Sequence, residues 1–99
     1  PAVVSSALDT SIGLSMGAVL AAALPELDFD CGLGTSSLFT ADIVSPPLTA
    51  RDGALPVGRV APDAALLDEL AAPPERREWW LARLERCHAL LGADGDGSD

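Results

Sequence analysis

The first third of the chain alternates between short apolar runs and one longer helix-forming segment, and this order constrains the fold most. Ala2–Ser6 contains paired valines and predicts a strand buried on both faces. An apolar helix is predicted over Ser11–Leu24, and Pro25 ends it. Phe29–Leu33 predicts a second short strand. A strand, a helix and a strand at this spacing form a βαβ unit, so we expect the two strands to be parallel.

A polar hinge joins the first strand to the helix. Asp9, Thr10 and Ser11 are good N-cap residues, because a side-chain oxygen can accept a hydrogen bond from a free N–H of the first turn. Ser5 and Ser6 lie at the C-terminal end of the predicted strand, where parallel sheets and (β/α)8 barrels bind ligands. These two hydroxyls could hold a carboxylate or a phosphate, or only bond to their neighbours. The residues alone leave both possibilities open.

The second predicted strand runs into the sequence CGLGTSS, Cys31–Ser37. A dinucleotide fingerprint would require a glycine where Ser37 stands, so this lone G-x-G does not support a Rossmann site. Gly32 and Gly34 still indicate that the backbone closely approaches either a ligand or a neighbouring element.

The rest of the chain is less regular. The Pro- and Gly-rich middle predicts a hairpin or wide turn at Arg51–Gly53, and a short helix follows over Asp63–Ala71. A last helix is predicted over Glu75–Leu91 and an acidic, disordered tail after it. An EF-hand calcium loop in the tail is excluded, because Asp99 stands where the pattern needs glycine. One stripe of the last helix is apolar, with Leu81 and His88 beside it: Trp80, Leu84, Cys87 and Leu91.

Composition excludes several classes of function. The net charge is −9 and every basic residue is Arg, so the chain is a poor candidate for binding nucleic acid or an anionic membrane. The apolar run Ile12–Leu24 is too short to span a bilayer and lacks a basic flank. A hydrophobic content of 48% in 99 residues, with no initial Met, is typical of a piece cut from a larger core.

Isolated reactive residues offer little chemistry by themselves. Cys31 and Cys87 are expected to be two buried free thiols in a cytoplasmic protein. His88, the only histidine, is expected to be structural, and no zinc-ligand spacing is present. A serine-hydrolase function is not supported, because the chain has no G-x-S-x-G elbow.

The segment VVSSALDTSIGLSMGAVLAAALPELDFDCGLGTSSLFTADIV resembles the C-terminal part of the o-succinylbenzoate synthases, an enolase-superfamily family, in its actinobacterial form. The strand-to-helix turn SSALDTSIGL, the CGLG strand and the following LFTADIV carry the match. The resemblance implies an α/β fold that forms the C-terminal portion of a modified (β/α) TIM-type barrel. The implied parts are the last two barrel βα units at 1–42, an irregular segment with a short helix returning to the capping domain at 43–72, a C-terminal helix at 73–91 and the tail at 92–99.

The resemblance also implies a reaction. The family's enzymes are metal-dependent lyases of menaquinone biosynthesis that dehydrate 2-succinyl-6-hydroxy-2,4-cyclohexadiene-1-carboxylate to 2-succinylbenzoate. Their catalytic lysines and Mg²⁺ ligands lie on strands that would precede Pro1, and this chain contains no Lys. We therefore expect no catalytic residue and no metal ligand here, and no activity from the 99 residues alone. The expected partners are a small dicarboxylate substrate and the remainder of the same polypeptide.

The residues that the resemblance assigns to the substrate pocket are Ser5, Ser6, Gly32 and Gly34, with Ser6 and Gly32 foremost. Asp9 is implied to be structural, as a cap or a bridge to a neighbouring loop. Two alternatives stay open at this point. One is another enolase-superfamily enzyme, an N-acylamino acid racemase or a cycloisomerase. The other is a non-catalytic acidic α/β interaction module.

Overall fold

The computed structural model describes residues 1–93. Four helical elements follow one another: α1 (Ser11–Ala23), a 3-10 helix (Thr35–Leu38), α2 (Ala64–Glu69) and α3 (Pro74–Ala93). The three α-helices occur where the sequence predicts them, although α2 is shorter than expected and α3 longer at both ends. Residues 92 and 93 of the predicted tail belong to α3. The rest of the tail, with the excluded calcium loop, lies outside the described residues.

The two predicted strands meet in one parallel bridge between Ser5 and Gly32. The N–H of Gly32 donates to the carbonyl of Val4, and the carbonyl of Gly32 accepts from the N–H of Ser6, both at 2.9 Å. The expected parallel βαβ connection is therefore present, but its pairing is far shorter than the predicted strands. A two-stranded pair is marginal by itself, and no other strand lies beside this one within residues 1–93.

One face of α1 packs on this bridge. A Cβ built at Gly17 would lie 2.9 Å from Leu33 Cδ2 and 3.8 Å from Val4 Cγ1, so the missing side chain lets the helix approach both residues. The buried residues of α1 recur at spacings of three and four, which is the period of one helix face. They are Ser11, Leu14, Ser15, Ala18 and Ala21.

The opposite face of α1 is apolar but uncovered. Met16 is 65% exposed and Leu20 is 56% exposed. The expectation that the first strand is buried on both faces is also wrong, because Val4 is 9% exposed whereas Val3 is 54% exposed. The physical reason is that α1 covers only one side of the parallel bridge.

The N-terminus of α1 is capped by a residue that is distant in sequence. Thr10 occupies the N-cap position, but its side chain makes no capping hydrogen bond. The carboxylate of Asp42 instead accepts from the N–H of Ser11, at 3.0 Å to Oδ2. The prediction that local side chains cap this helix is therefore wrong. Asp9 lies against the helix, since a Cβ added to Gly13 would be 2.9 Å from Asp9 Cβ.

The middle of the chain contains the predicted hairpin turn. Arg51 and Ala54 exchange two backbone hydrogen bonds of 2.9 Å, and the residues between them, Asp52 and Gly53, have φ angles of 51° and 75°. Two successive positive φ values are typical of a type I′ turn, which Asp-Gly favours. The expected turn is confirmed.

No residue of α3 whose side chain is described is buried. Its predicted apolar stripe faces solvent, with Trp80 52% and Leu84 65% exposed. The radius of gyration is 17.3 Å, against about 13 Å for a compact domain of this length. Residues 1–93 therefore do not close around one core.

Candidate functional site

The parallel bridge has two different faces. Val4 and Leu33 point to α1, because both approach Gly17. Side chains alternate along a strand, so Ser5 and Gly32 belong to the opposite face. A Cβ added to Gly32 would lie 2.8 Å from Ser5 Oγ, which places that hydroxyl directly over the glycine. Ser5 is exposed and, among residues 1–93, its hydroxyl has no hydrogen-bond partner. It is therefore available to a ligand on the face that α1 leaves open.

The Ser6 hydroxyl has protein partners. Its Oγ donates to the carbonyl of Gly32 at 3.1 Å and lies 2.8 Å from Thr35 Oγ1. Ser6 is also only partly exposed. Because a hydroxyl has a single proton, this geometry commits the Ser6 donor to the protein. The two adjacent serines therefore differ in environment: the Ser5 hydroxyl is exposed, and the Ser6 hydroxyl is hydrogen-bonded to Gly32 and Thr35.

Gly34 lines a different surface from the other predicted site residues. It precedes the 3-10 helix, and its carbonyl accepts from Ser37 Oγ at 2.9 Å. It also lines an open groove of about 650 Å³ between α1 and the Asp52-Gly53 turn. The groove wall is largely apolar and includes Ala18, Ala21, Leu33, Leu55 and Val57. The structure thus brings Ser5, Ser6 and Gly32 together, with Gly34 on a different surface.

Reactive side chains are sparse around this site. Within residues 1–93, no three His, Cys, Asp or Glu side chains lie close enough together to hold a metal ion. Cys31 and Cys87 are both free, as expected, but the expectation that both are buried is wrong. Cys31 is half-buried, and Cys87 is exposed on α3, none of whose described side chains is buried. His88 is exposed on the same helix.

Sequence reasoning missed two residues near the site. Asp42 is buried at 8% exposure and accepts from the N–H of Ser11 at the start of α1, and Thr35 contacts Ser6. Both lie in segments that the sequence marked for other reasons, GTSS as a loop and LFTADIV as part of the resemblance. A single carboxylate in an otherwise apolar run is the available signal, because a buried charge needs partners.

No helix in the described part of the chain has both the length and the apolar character needed to cross a membrane.

The chain has curated relatives among mycobacterial proteins. No family model matches the chain. The chain is homologous to curated mycobacterial enzymes over 92% of its length, with 56% identity over 91 residues to a protein of Mycobacterium leprae. A protein of Mycobacterium tuberculosis is 53% identical and one of Mycobacterium ulcerans 50% identical over the same length. Each of these relatives is named o-succinylbenzoate synthase, so the resemblance predicted from the sequence is confirmed. The chain spans about a quarter of their length, 27% to 28%.

Proposed function

We propose that the chain is part of an o-succinylbenzoate synthase and supplies one wall of its substrate pocket. The observation that carries the proposal is the two-faced parallel bridge. α1 covers the face of Val4, and Ser5 and Gly32 lie on the open face. In a (β/α) barrel the helices lie outside the strands, so the open face would be the barrel interior.

The proposed fold also explains the exposed apolar surfaces. Met16 and Leu20 of α1 would contact a neighbouring helix of the barrel, and Val3, which shares the face of Ser5, would pack in the barrel interior. On this proposal residues 1–42 are the last two βα units, with Ser5 on the seventh strand and Gly32 on the eighth. Residues 43–72 return to the capping domain, and α3 follows this return segment. The exposed stripe of α3 would then lie against the remainder of the polypeptide.

The proposed reaction is the dehydration of 2-succinyl-6-hydroxy-2,4-cyclohexadiene-1-carboxylate to 2-succinylbenzoate in menaquinone biosynthesis. An acid–base residue removes the proton α to a carboxylate, the hydroxyl group then leaves, and the overall loss of one water makes the ring aromatic. The chain has no Lys to remove that proton, and its single histidine is exposed on α3. We therefore assign the acid–base residues to parts of the enzyme outside this segment, and we expect the 99 residues alone to be inactive.

Mg²⁺ is the metal implied for this chemistry, and it takes oxygen ligands such as carboxylates. The described residues do not fit such a site, because no acidic cluster of the required size occurs within residues 1–93. The buried carboxylate of Asp42 is already engaged by N–H and hydroxyl donors. We therefore assign the metal ligands to the remainder of the enzyme and derive no step through the metal here.

The role proposed for this segment is to bind a carboxylate of the substrate. The Ser5 hydroxyl would donate a hydrogen bond to a carboxylate oxygen, which is a charge-assisted interaction. Gly32 leaves the space above that hydroxyl open, since any side chain there would contact Ser5 Oγ. Ser6 would fix the strand end through Thr35, and Gly34 would shape the backbone that follows.

The experiment compares Ser5→Ala with Ser37→Ala in the complete enzyme that carries this segment. Loss of a hydrogen bond to a charged group raises KM roughly tenfold, while Tm changes little. Ser37→Ala is the matched control, because that exposed hydroxyl bonds only to the carbonyl of Gly34. An unchanged KM in Ser5→Ala would contradict the proposed pocket.

Assays of the complete enzyme with the cyclohexadiene substrate and with an N-acylamino acid would separate the synthase from a racemase.

A further inference from the structure

A buried polar network joins the N-terminus of α1 to the loop after the second strand. Asp42 Oδ2 accepts from the N–H of Ser11 at 3.0 Å and from Ser11 Oγ at 2.8 Å. Its Oδ1 accepts from the N–H of Val44 at 3.1 Å and lies 3.3 Å from the N–H of Ser11. Ser11 is fully buried, and Asp42 is 8% exposed. A carboxylate at this end of a helix is favoured by the helix dipole.

The network continues from Ser11 through Leu48. The hydroxyl of Ser11 donates to Asp42 and accepts from the N–H of Leu48 at 2.8 Å. The carbonyl of Leu48 accepts from Ser36 Oγ at 3.0 Å. Both backbone polar groups of Leu48 are therefore bonded to side chains that lie far away in sequence. This arrangement fixes the position of the 3-10 helix relative to α1.

The last step of the network reaches the strand end. Thr35 precedes Ser36 in the 3-10 helix, and its Oγ1 lies 2.8 Å from Ser6 Oγ. Ser6 in turn bonds to the carbonyl of Gly32, beside Ser5. A continuous path of hydrogen bonds and two covalent links, one within Leu48 and one from Ser36 to Thr35, thus leads from Asp42 to the strand end that carries Ser5.

We propose that Asp42 is a positioning residue for substrate binding, acting through Ser11, Leu48, Ser36 and Thr35 on Ser6. The inference rests on the proposed function, because it concerns the same pocket. It assigns a role to a residue that lies on the helix side of the bridge and does not itself reach the open face. Asp42 fixes the position of the loop whose Thr35 side chain contacts Ser6. Ser6 in turn fixes the backbone from which the Ser5 side chain projects.

The carboxylate is specifically required, because all its partners are donors. An amide at position 42 would direct its NH₂ group either at the N–H of Val44 or at the N–H and Oγ of Ser11. One donor would then face another in a buried place, so at least one hydrogen bond of the network is lost. Asp42→Asn therefore perturbs the network while it preserves the side chain's volume.

The test measures kcat and KM of Asp42→Asn, Ser6→Ala and the double variant in the complete enzyme. A positioning residue for binding raises KM, by about tenfold, with a much smaller change in kcat. Because Asp42 acts through Ser6, the double variant should have nearly the KM of Ser6→Ala, and the two effects should not multiply. Multiplying effects, or an unchanged KM in Asp42→Asn, would overturn the inference.

Two further variants keep the result interpretable. Leu14→Ala is the control for destabilisation, because Leu14 is fully buried in α1 but makes no side-chain hydrogen bond. It should lower Tm and leave KM unchanged. Ser36→Ala interrupts the same path without touching the carboxylate, and it replaces Asp42→Asn if that variant fails to fold.

An unchanged KM in Ser5→Ala would count against the proposed pocket itself. A raised KM in Ser5→Ala with an unchanged KM in both Asp42→Asn and Ser36→Ala would overturn only the positioning role.

Discussion

Residues 1–48 and residues 63–93 are both well formed locally, yet they bury their side chains very differently. Every buried residue of the described chain lies in the first region, including the fully buried Leu14 and Ser11. The second region contains α2 and α3, and none of its described side chains is buried. The contrast indicates that the first region has a small core of its own, whereas the second requires a partner surface for its apolar residues.

The polar interactions of the two regions differ in the same way. In the first, Asp42 and Ser11 are bonded to each other across 31 positions of sequence and are shielded from solvent. In α3, Arg76 lies 4.5 Å from the ring centroid of Trp79, and both residues are exposed. Hydrogen bonds between distant segments fix tertiary structure, but neighbouring side chains on one helix stabilise only that helix.

The largest expected effect separates the two regions directly. Leu14→Ala in the complete protein should lower the free energy of unfolding by about 2–5 kcal/mol, because it leaves a cavity under α1. A side chain as exposed as Leu84 is in this chain, at 65%, would cost less than about 0.5 kcal/mol on truncation. Because the proposed fold places α3 against the remainder of the polypeptide, Leu84→Ala should cost more than that in the complete protein. Urea denaturation of both variants is the measurement, and a cost below about 0.5 kcal/mol for Leu84→Ala would contradict the proposed burial of α3.

A smaller effect is expected at two helical glycines. Helix propensity favours Ala over Gly by about 1 kcal/mol at an interior position. At Gly17 a methyl group would meet Leu33 at 2.9 Å, and overpacking costs roughly 1–3 kcal/mol. Gly17→Ala should therefore lower Tm. A Cβ added to Gly92 would meet no atom within 4 Å beyond its chain neighbours and the backbone of its own helix, so Gly92→Ala should leave Tm unchanged or raise it slightly. Equal changes in the two variants would contradict close packing of α1 on the bridge.

The smallest expected effect compares two N-caps. Asp63 Oδ1 accepts from the N–H groups of Ala65 and Leu66 at 2.9 and 3.2 Å, so Asp63→Ala should cost about 1 kcal/mol in local stability. Thr10 has no capping bond, and Thr10→Ala should change stability very little. Amide hydrogen exchange at Ala65 and Leu66 reports the first, and thermal unfolding the second. A large loss in Thr10→Ala would show that the α1 cap is local after all.

Several features could be predicted from the sequence because they depend on neighbouring residues. Pro25 limits α1, the Asp52-Gly53 pair specifies the type I′ turn, and the Asp63 side chain caps the helix that follows it. The parallel connection of the two strands also follows from local order, since a helix between two strands returns the chain in the same direction. For the candidate site, the resemblance predicted Ser5, Ser6, Gly32 and Gly34, and the structure brings the first three together.

Tertiary structure determines the environment of each of those residues. Ser5 and Ser6 are adjacent and chemically identical. Only the positions of α1 and Thr35 leave the Ser5 hydroxyl exposed and give the Ser6 hydroxyl a hydrogen-bond partner. The cap of α1 could not be predicted for the same reason, because Asp42 lies 31 residues from Ser11. Sequence order determines which hydrogen bonds a segment can make with itself. Packing determines which distant donors and acceptors meet out of contact with water, where an unpaired group is costly.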